Sequence, residues 1–249
     1  MASRLEYKYL VPENLLPKIR AEVLIYTNYD PYAEIRPNKD YTVRSIYLDT
    51  VDLLCYIEKY EGYKIRNKYR IRVYNEPKED SLVFLEIKRK NENFISKDRA
   101  KLYLNDLQSL FHSKNVEEYV LARVDGIGGY DEAKKFLFHY FSKQLVPSSL
   151  VVYEREAFVG KFGYDLRLTF DKNLRGSVNP AYKDIFEERN LRAAFPNYFI
   201  LEVKFHQTFP AWIPRMITKY GLQRISISKY TNCIDINKNQ MHFSSSLAF

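Results

Sequence analysis

The stretch Lys68-Tyr69-Arg70-Ile71-Arg72-Val73 restricts the possible folds more than any other part of the chain. Successive side chains of a β-strand point to opposite faces. As a strand, this segment carries Lys68, Arg70 and Arg72 on one face and Tyr69, Ile71 and Val73 on the other. The same division recurs. In Val83 to Lys88, Glu86 and Lys88 share a face opposite aliphatic residues. In Asp165 to Asp171, Arg167 lies with Asp165, Thr169 and Asp171, opposite Leu166, Leu168 and Phe170. In Phe199 to Phe205, Glu202 and Lys204 lie opposite Phe199, Leu201, Val203 and Phe205. A Glu-x-Lys pattern appears at Glu6-Tyr7-Lys8, Glu86-Ile87-Lys88 and Glu202-Val203-Lys204. Each instance places a carboxylate and an ammonium on one face of a strand, ~6.5–7 Å apart along the backbone.

Any one of these strands could be a solvated outer face laced with cross-strand ion pairs. Taken together they point inward. The opposite faces are strongly apolar, and the chain offers several helices to cover them. The polar faces hold more arginine and lysine than glutamate, and an inward cluster of like charges is costly unless an anion fills it. The expected fold is therefore α+β: an antiparallel closed β-barrel tunnel of about eight strands with helices packed outside. Aromatic content of 16%, with 22 Tyr and 16 Phe, favours strands. The net charge of +8 calls for an anionic partner. The planar fork of arginine suits phosphate oxygens, and one or two carboxylates with substrate phosphates suit Mg²⁺ or Mn²⁺.

Along the chain, strands are expected at Arg4–Val11, Tyr41–Asp49, Leu150–Phe158, Asp165–Asp171 and Tyr198–His206, with a hairpin of Lys64–Asn75 and Ser81–Asn91. Helices are expected from Pro12-Glu13 to about Tyr26, at Asn105–His112, Val116–Val124 and Asp131–Gln144, and at Ala211–Tyr220 despite Pro214. Asn28–Asp40 reads as a loop, Val51–Glu58 as either helix or extended chain, and Ser226–Asp235 as a final strand or turn. Gly126-Ile127-Gly128-Gly129 follows no strand and lacks a Lys-Ser/Thr ending, so it reads as a linker. The serine-bearing tail from Asn239 reads as frayed.

Cys55 and Cys233 are too few for a disulfide framework and read as reduced thiols. His112, His139, His206 and His242 do not cluster at ligand spacing; His206 continues the Glu202–Lys204 face toward a tunnel rim. No apolar leader and no run of ~20 apolar residues is present. The expectation is a soluble, cytoplasmic protein folded as a single domain over residues 1–249.

The order and spacing of these motifs resemble the triphosphate tunnel metalloenzyme superfamily, and within it the VTC domain, the polyphosphate polymerase module of the vacuolar transporter chaperone family. Arg4-Leu5-Glu6-Tyr7-Lys8-Tyr9 resembles the first tunnel strand. Tyr69–Tyr74 resembles the paired-arginine strand, and Leu85-Glu86-Ile87-Lys88 the next. Ser96-Lys97-Asp98-Arg99 resembles a following basic segment. Tyr153-Glu154-Arg155 and Leu166–Asp171 are similar to two further strands, Leu201-Glu202-Val203-Lys204 to the metal-binding strand, and Ser228-Lys229-Tyr230 to the closing motif.

The resemblance implies catalytic roles for Lys8, Arg70, Arg72, Lys88, Arg155, Arg167 and Lys229. It implies phosphate contacts for Lys97, Tyr153, Lys204 and Ser228, and metal binding chiefly by Glu202, assisted by Glu6 and Glu86. Mn²⁺ or Mg²⁺ is the implied cofactor, ATP and inorganic polyphosphate the implied partners, and a separate membrane protein a further one. Arg4 stands where hydrolases of the superfamily carry a glutamate, which favours the polymerase branch. Arg224-Ile225-Ser226-Ile227 lacks the basic residue expected just before the closing Ser-Lys. The alternatives are a tripolyphosphate or nucleoside triphosphate hydrolase and a non-catalytic polyphosphate or inositol-phosphate binding module. Nucleic acid is not an expected partner, because the Glu-x-Lys pattern has no purpose there.

Overall fold

The computed structural model describes residues 5–92, 94–122, 129–161, 163, 165–206 and 209–240. Arg4, residues 126–128 of the linker, residues 123–124 of the expected Val116–Val124 helix, His242 and most of the tail lie outside them. Its strands are β1 (Leu5–Pro12), β2 (Thr27–Tyr29), β3 (Tyr41–Asp49), β4 (Ile65–Tyr74), β5 (Leu82–Asn91), β6 (Phe94–Tyr103), β7 (Val120–Leu121), β8 (Val146–Gly160), β9 (Leu166–Val178), β10 (Arg192–Ala193) and β11 (Tyr198–Phe205). Its helices are α1 (Leu16–Tyr26), α2 (Pro31–Glu34), α3 (Leu54–Tyr60), α4 (Leu107–Ser113), α5 (Val116–Tyr119), α6 (Tyr130–Ser142), α7 (Trp212–Lys219) and α8 (Lys229–Asp235).

All described strands belong to one antiparallel sheet in the order β1-β11-β9-β8-β3-β4-β5-β6-β7, with β10 on β9 and β2 on β8. The expected alternation holds: apolar residues of each strand pack under helices. Helices α1 and α7 cover the β1 end, burying Val11, Ile19, Val23, Phe158, Leu168, Phe170, Val203, Ile213 and Met216 in one core. Helices α4 to α6 cover the β4–β6 end over Ile71, Leu85, Ile87, Leu102, Leu110 and Phe136.

The α+β class and the large antiparallel sheet are as expected; closure into a barrel is not seen among the described residues, where no hydrogen-bonded ladder joins β1 to β7. The segment 224–228 and facing side chains span the gap. Tyr9 forms an isolated bridge with Arg224, and the Ile225 amide donates to the Lys8 carbonyl at 2.9 Å. The far side of the same segment receives Lys68 Nζ at Ser228 Oγ (2.5 Å) and Lys59 Nζ at Ser226 Oγ (3.3 Å). Between β5 and β1, Lys88 Nζ meets Glu6 at 3.3 Å.

Several local expectations are also corrected. Ser226–Asp235 contains a helix, not a strand. Ser228 caps α8, its Oγ accepting from the Thr231 amide, and Tyr230, Cys233 and Ile234 bury against Val43, Val151, Leu174 and Ile200 on the concave side. Gly176 makes this docking possible: a Cβ there would sit 2.6 Å from the Leu150 carbonyl oxygen and 2.8 Å from Cys233 Sγ. Residues 51–58 include the start of α3, because Asp49 accepts from the Cys55 and Tyr56 amides. Strand β6, read from sequence only as a basic segment, pairs with β5 along ten residues. The loop 28–40 contains β2 residues and α2, and the helix at Val116 ends at Tyr119 before β7. Cys55 and Cys233 are free and buried.

Candidate active site

The concave face encloses a cavity of about 440 Å³. Twelve Lys and Arg side chains line it against two acids, Glu6 and Glu202. Eleven of the fourteen residues singled out from sequence meet there: Glu6 and Lys8 from β1, Arg70 and Arg72 from β4, Lys88 from β5, Tyr153 and Arg155 from β8, Glu202 and Lys204 from β11, and Ser228 and Lys229 around the start of α8. The cause is register. Lys8 is opposite Glu202, Glu6 opposite Lys204, and Lys68 opposite Lys88, so the inward positions of neighbouring strands coincide.

Three of the fourteen lie elsewhere. Arg167 pairs with Asp30 at 2.9 Å and does not line the cavity. Glu86 is buried behind the arginines, 2.6 Å from Arg70 Nε and 3.1 Å from Arg99 Nε. Lys97 reaches the same carboxylate at 3.3 Å. Geometry makes Glu86 a holder of guanidinium and ammonium groups, not a face of the cavity.

Lys229 is held between Asp171 (2.5 Å) and Glu202 (2.6 Å). Arg155 forks onto both oxygens of Asp171, at 2.6 and 2.7 Å, and reaches Glu202 at 3.6 Å. Glu202 also receives Lys8 (3.2 Å) and Lys204 (3.3 Å), and Glu6 receives Lys8 (3.1 Å) and Lys88 (3.3 Å). Tyr47 accepts from Arg70 Nη1 at 2.9 Å and stacks on Tyr230.

Burial alone would raise the Glu202 carboxyl, but Lys229, Lys8, Lys204 and Arg155 outweigh it and hold it well below the ordinary range. Glu6 behaves likewise, with Lys8 as the leading opposing cation. Burial would lower Lys229, yet Asp171 and Glu202 raise it. Lys68 has no such support: burial, then Lys8, Lys88, Lys59 and Arg66, push it well below the ordinary lysine value.

Sequence reasoning missed several lining groups. Arg66 and Lys68 extend the inward series of β4, and Lys90 that of β5, so the i, i+2 rule reached them without assigning a role. Asp171, also inward on β9, does not line the cavity but pairs with the lining Arg155 and Lys229. Lys59 on α3 and Arg224 enter only through tertiary approach. His206 lies beside Asp165, 3.4 Å away, and does not line the cavity.

A hard divalent cation needs oxygen donors. Glu6 and Glu202 share Lys8 and Lys204 as partners, so two carboxylates stand together at the cavity wall. Among the described residues no group of three or more His, Cys, Asp or Glu could hold a metal unaided. Two carboxylates completed by substrate phosphate oxygens is a donor set that Mg²⁺ and Mn²⁺ accept; the residues present fit such an ion.

An enclosed cavity lined by twelve cations and two acids on an antiparallel sheet is, by its charge, a site for an anion. The chain belongs to the VTC domain family, which matches residues 3–237. No curated protein matches it in sequence. Among solved structures it is similar to HpAC1, a candidate adenylyl cyclase from Hippeastrum described as having a dominant triphosphatase activity, at TM-score 0.48 and 11% identity, covering 94% of this chain and 96% of that one. It is also similar to a protein from Pyrococcus horikoshii OT3 at TM-score 0.45 and 12% identity, covering 94% and 98%. The family assignment rests on the family match alone. Among the described residues no helix is long and apolar enough to cross a membrane.

Proposed function

We propose that this chain is a polyphosphate polymerase that transfers the γ-phosphoryl group of ATP to the end of a growing inorganic polyphosphate. The observation that carries the reading is the excess of twelve basic over two acidic side chains around one enclosed cavity. An isolated cluster of that kind is destabilising, and a chain of phosphates supplies the missing negative charge.

In this reading an oxygen of the terminal phosphate attacks the γ-phosphorus. A new P–O–P bond forms, the β,γ-anhydride bond breaks, and its electron pair leaves on the β-phosphate of ADP. The attacking oxygen is already anionic at neutral pH, so no general base is required. Catalysis then consists of positioning and charge neutralisation. Arg70, held by Glu86, Arg72, held by Ser45, and Arg155, held by Asp171, grip phosphate oxygens. Lys8, Lys88, Lys204 and Lys229 balance the charge that develops, and the Ser228 hydroxyl and the Tyr153 ring flank it. Arg167 and Lys97 stand outside this set. Glu202 and Glu6 would hold Mn²⁺ or Mg²⁺, which when bound supplies Lewis-acid neutralisation of phosphate oxygens. The reading treats residues 1–249 as one cytoplasmic domain that passes product to a separate membrane partner.

The test is incubation with ATP and Mn²⁺, with products resolved on a polyphosphate-stained gel beside Glu202→Gln. A ladder of chains with matching ADP, lost in the variant, is expected. Free phosphate without chains would show a hydrolase, and binding without turnover would show a sensor; either result refutes the polymerase.

A further inference from the structure

Glu202 is the more crowded of the two acids that line the cavity, and both of its oxygens are occupied. Oε1 meets Lys229 Nζ at 2.6 Å and Lys8 Nζ at 3.2 Å. Oε2 meets Lys204 Nζ at 3.3 Å and Arg155 Nη2 at 3.6 Å. A metal ion brings positive charge to the same oxygens, so it competes with these four groups. Lys8 and Lys204 have a second acid in Glu6. Lys229 and Arg155 have a second acid in Asp171.

Asp171 is fully buried and does not line the cavity, and among the described residues its ion pairs are with Arg155 and Lys229 alone. A carboxylate so placed acts on a ligand in the cavity only through its two cations. Arg155 is directly opposite Asp171 on the neighbouring strand and forks onto both its oxygens, at 2.6 and 2.7 Å. Lys229 is the first residue of α8, whose start is pinned by the Ser228 cap and by the Tyr230 hydroxyl on Asp49 at 2.5 Å. Its Nζ lies 2.5 Å from Asp171 Oδ2 and 2.6 Å from Glu202 Oε1, shared evenly between the two acids. A small rotation of the side chain leaves it on Asp171 with one ion pair intact. Without Asp171 it would have Glu202 alone, and a buried ammonium stripped of every partner is strongly disfavoured.

We propose that Lys229 competes with the metal for Glu202, and that Asp171 is the positioning residue that takes Lys229 over when the metal binds. The proposal rests on the reading of Glu202 as a metal ligand and deepens it. One ion pair is exchanged for another: Lys229 keeps Asp171, and Glu202 Oε1 is released. Arg155, already forked onto Asp171, is held back from Oε2 by the same carboxylate. The metal affinity of the empty cavity is thus set by a residue that never meets the metal. A phosphate chain offers further oxygens to the lining Lys8, Lys204 and Lys229, so the dependence on Asp171 is greatest when phosphate is absent.

The experiment measures Mn²⁺ binding without phosphate, from the EPR signal of the free ion, for wild type, Lys229→Met, Asp171→Asn and the double variant. A unit charge ~6 Å from a divalent ion changes its affinity about tenfold even at the dielectric constant of water. Lys229→Met should therefore bind Mn²⁺ about tenfold more tightly than wild type, and Asp171→Asn about tenfold more weakly. The double variant should lie within about threefold of Lys229→Met, because the lysine through which Asp171 acts is gone. If Asp171→Asn loses as much in the Lys229→Met background as in wild type, Asp171 acts by its charge alone and the proposal fails. If Lys229→Met binds Mn²⁺ no more tightly than wild type, the competition is refuted. A cooperative melting transition and retained tripolyphosphate binding identify folded variants. Should Asp171→Asn alone not fold, the comparison of the double variant with Lys229→Met still decides, since a tenfold gap there refutes action through the lysine. If Glu202→Gln binds Mn²⁺ as tightly as wild type, with tripolyphosphate as well as without, the metal reading of Glu202 falls and this proposal with it.

Discussion

Glu202→Gln separates the two jobs assigned to that carboxylate: holding the apo cavity together and binding a metal. Glu202 is 3% exposed, and its oxygens receive Lys229 at 2.6 Å, Lys8 at 3.2 Å, Lys204 at 3.3 Å and Arg155 at 3.6 Å. Glutamine keeps the shape and removes the charge. Removing one partner of a buried ion pair costs about 3–5 kcal/mol, because the other charge is left uncompensated. Lys229 and Arg155 retain Asp171, and Lys8 retains Glu6, so the low end of about 3 kcal/mol is expected. For a chain of this size, each kcal/mol moves the melting temperature by roughly 2–4 °C, giving a drop of roughly 6–12 °C in metal-free, low-salt buffer. Differential scanning fluorimetry reads this directly. Tripolyphosphate should reverse much of the loss, since ligand at about a hundred times its Kd stabilises by about 2.7 kcal/mol. Without metal the variant should bind tripolyphosphate at least as tightly as wild type, because a negative charge has left the wall; with Mn²⁺ added it should fail to gain affinity. A melting temperature within about 2 °C of wild type, or weaker metal-free binding, would refute the charge-balance argument.

Two other perturbations test the surrounding structure. Gly176→Ala should destabilise by about 1–3 kcal/mol through overpacking against Cys233 and the Leu150 carbonyl; because α8 carries Lys229 and is capped by Ser228, tripolyphosphate affinity should fall with the melting temperature, whereas a surface control such as Lys114→Ala should change neither. Lys68, Lys88 and Lys204 have pKa values lowered from 10.5 in the ligand-free protein. Between those lowered values and 10.5 the unfolded chain binds more protons, so these groups make stability rise with pH. An anion restores their protons, so binding of a long polyphosphate at pH 8 should take up protons, read as buffer-dependent heat in calorimetry, and the uptake should shrink in Lys68→Met.

Local chemistry made much of this legible in the sequence. A period of two is a property of the strand backbone, so Lys68, Arg70 and Arg72 had to share a face, and the apolar alternates had to be covered. That reasoning reached the basic cavity through Glu6, Lys8, Arg70, Arg72, Lys88, Glu202 and Lys204, while the family resemblance supplied Tyr153, Arg155, Ser228 and Lys229. It could not see partners across the sheet. Glu86 looks like Glu6 and Glu202 in sequence, yet β5 stands between β4 and β6, where Arg70 and Arg99 close over it. Arg167 obeys the same alternation but meets Asp30, brought alongside β9 by the turn into α2.

Closure was also a tertiary matter. Whether a curved sheet completes its ladder depends on strand tilt and register summed over all strands; among the described residues no ladder joins β1 to β7, and residues 224–228 link β1 to the Lys68 side chain of β4. The sequence suggested a final strand or turn over Ser226–Asp235. Ser228 instead turns the chain into α8, and Gly176 leaves room for the helix inside the concave face. The alternation of charge was determined by the chain alone; which charges find a partner, and which are left to a ligand, was decided by the packing of distant strands.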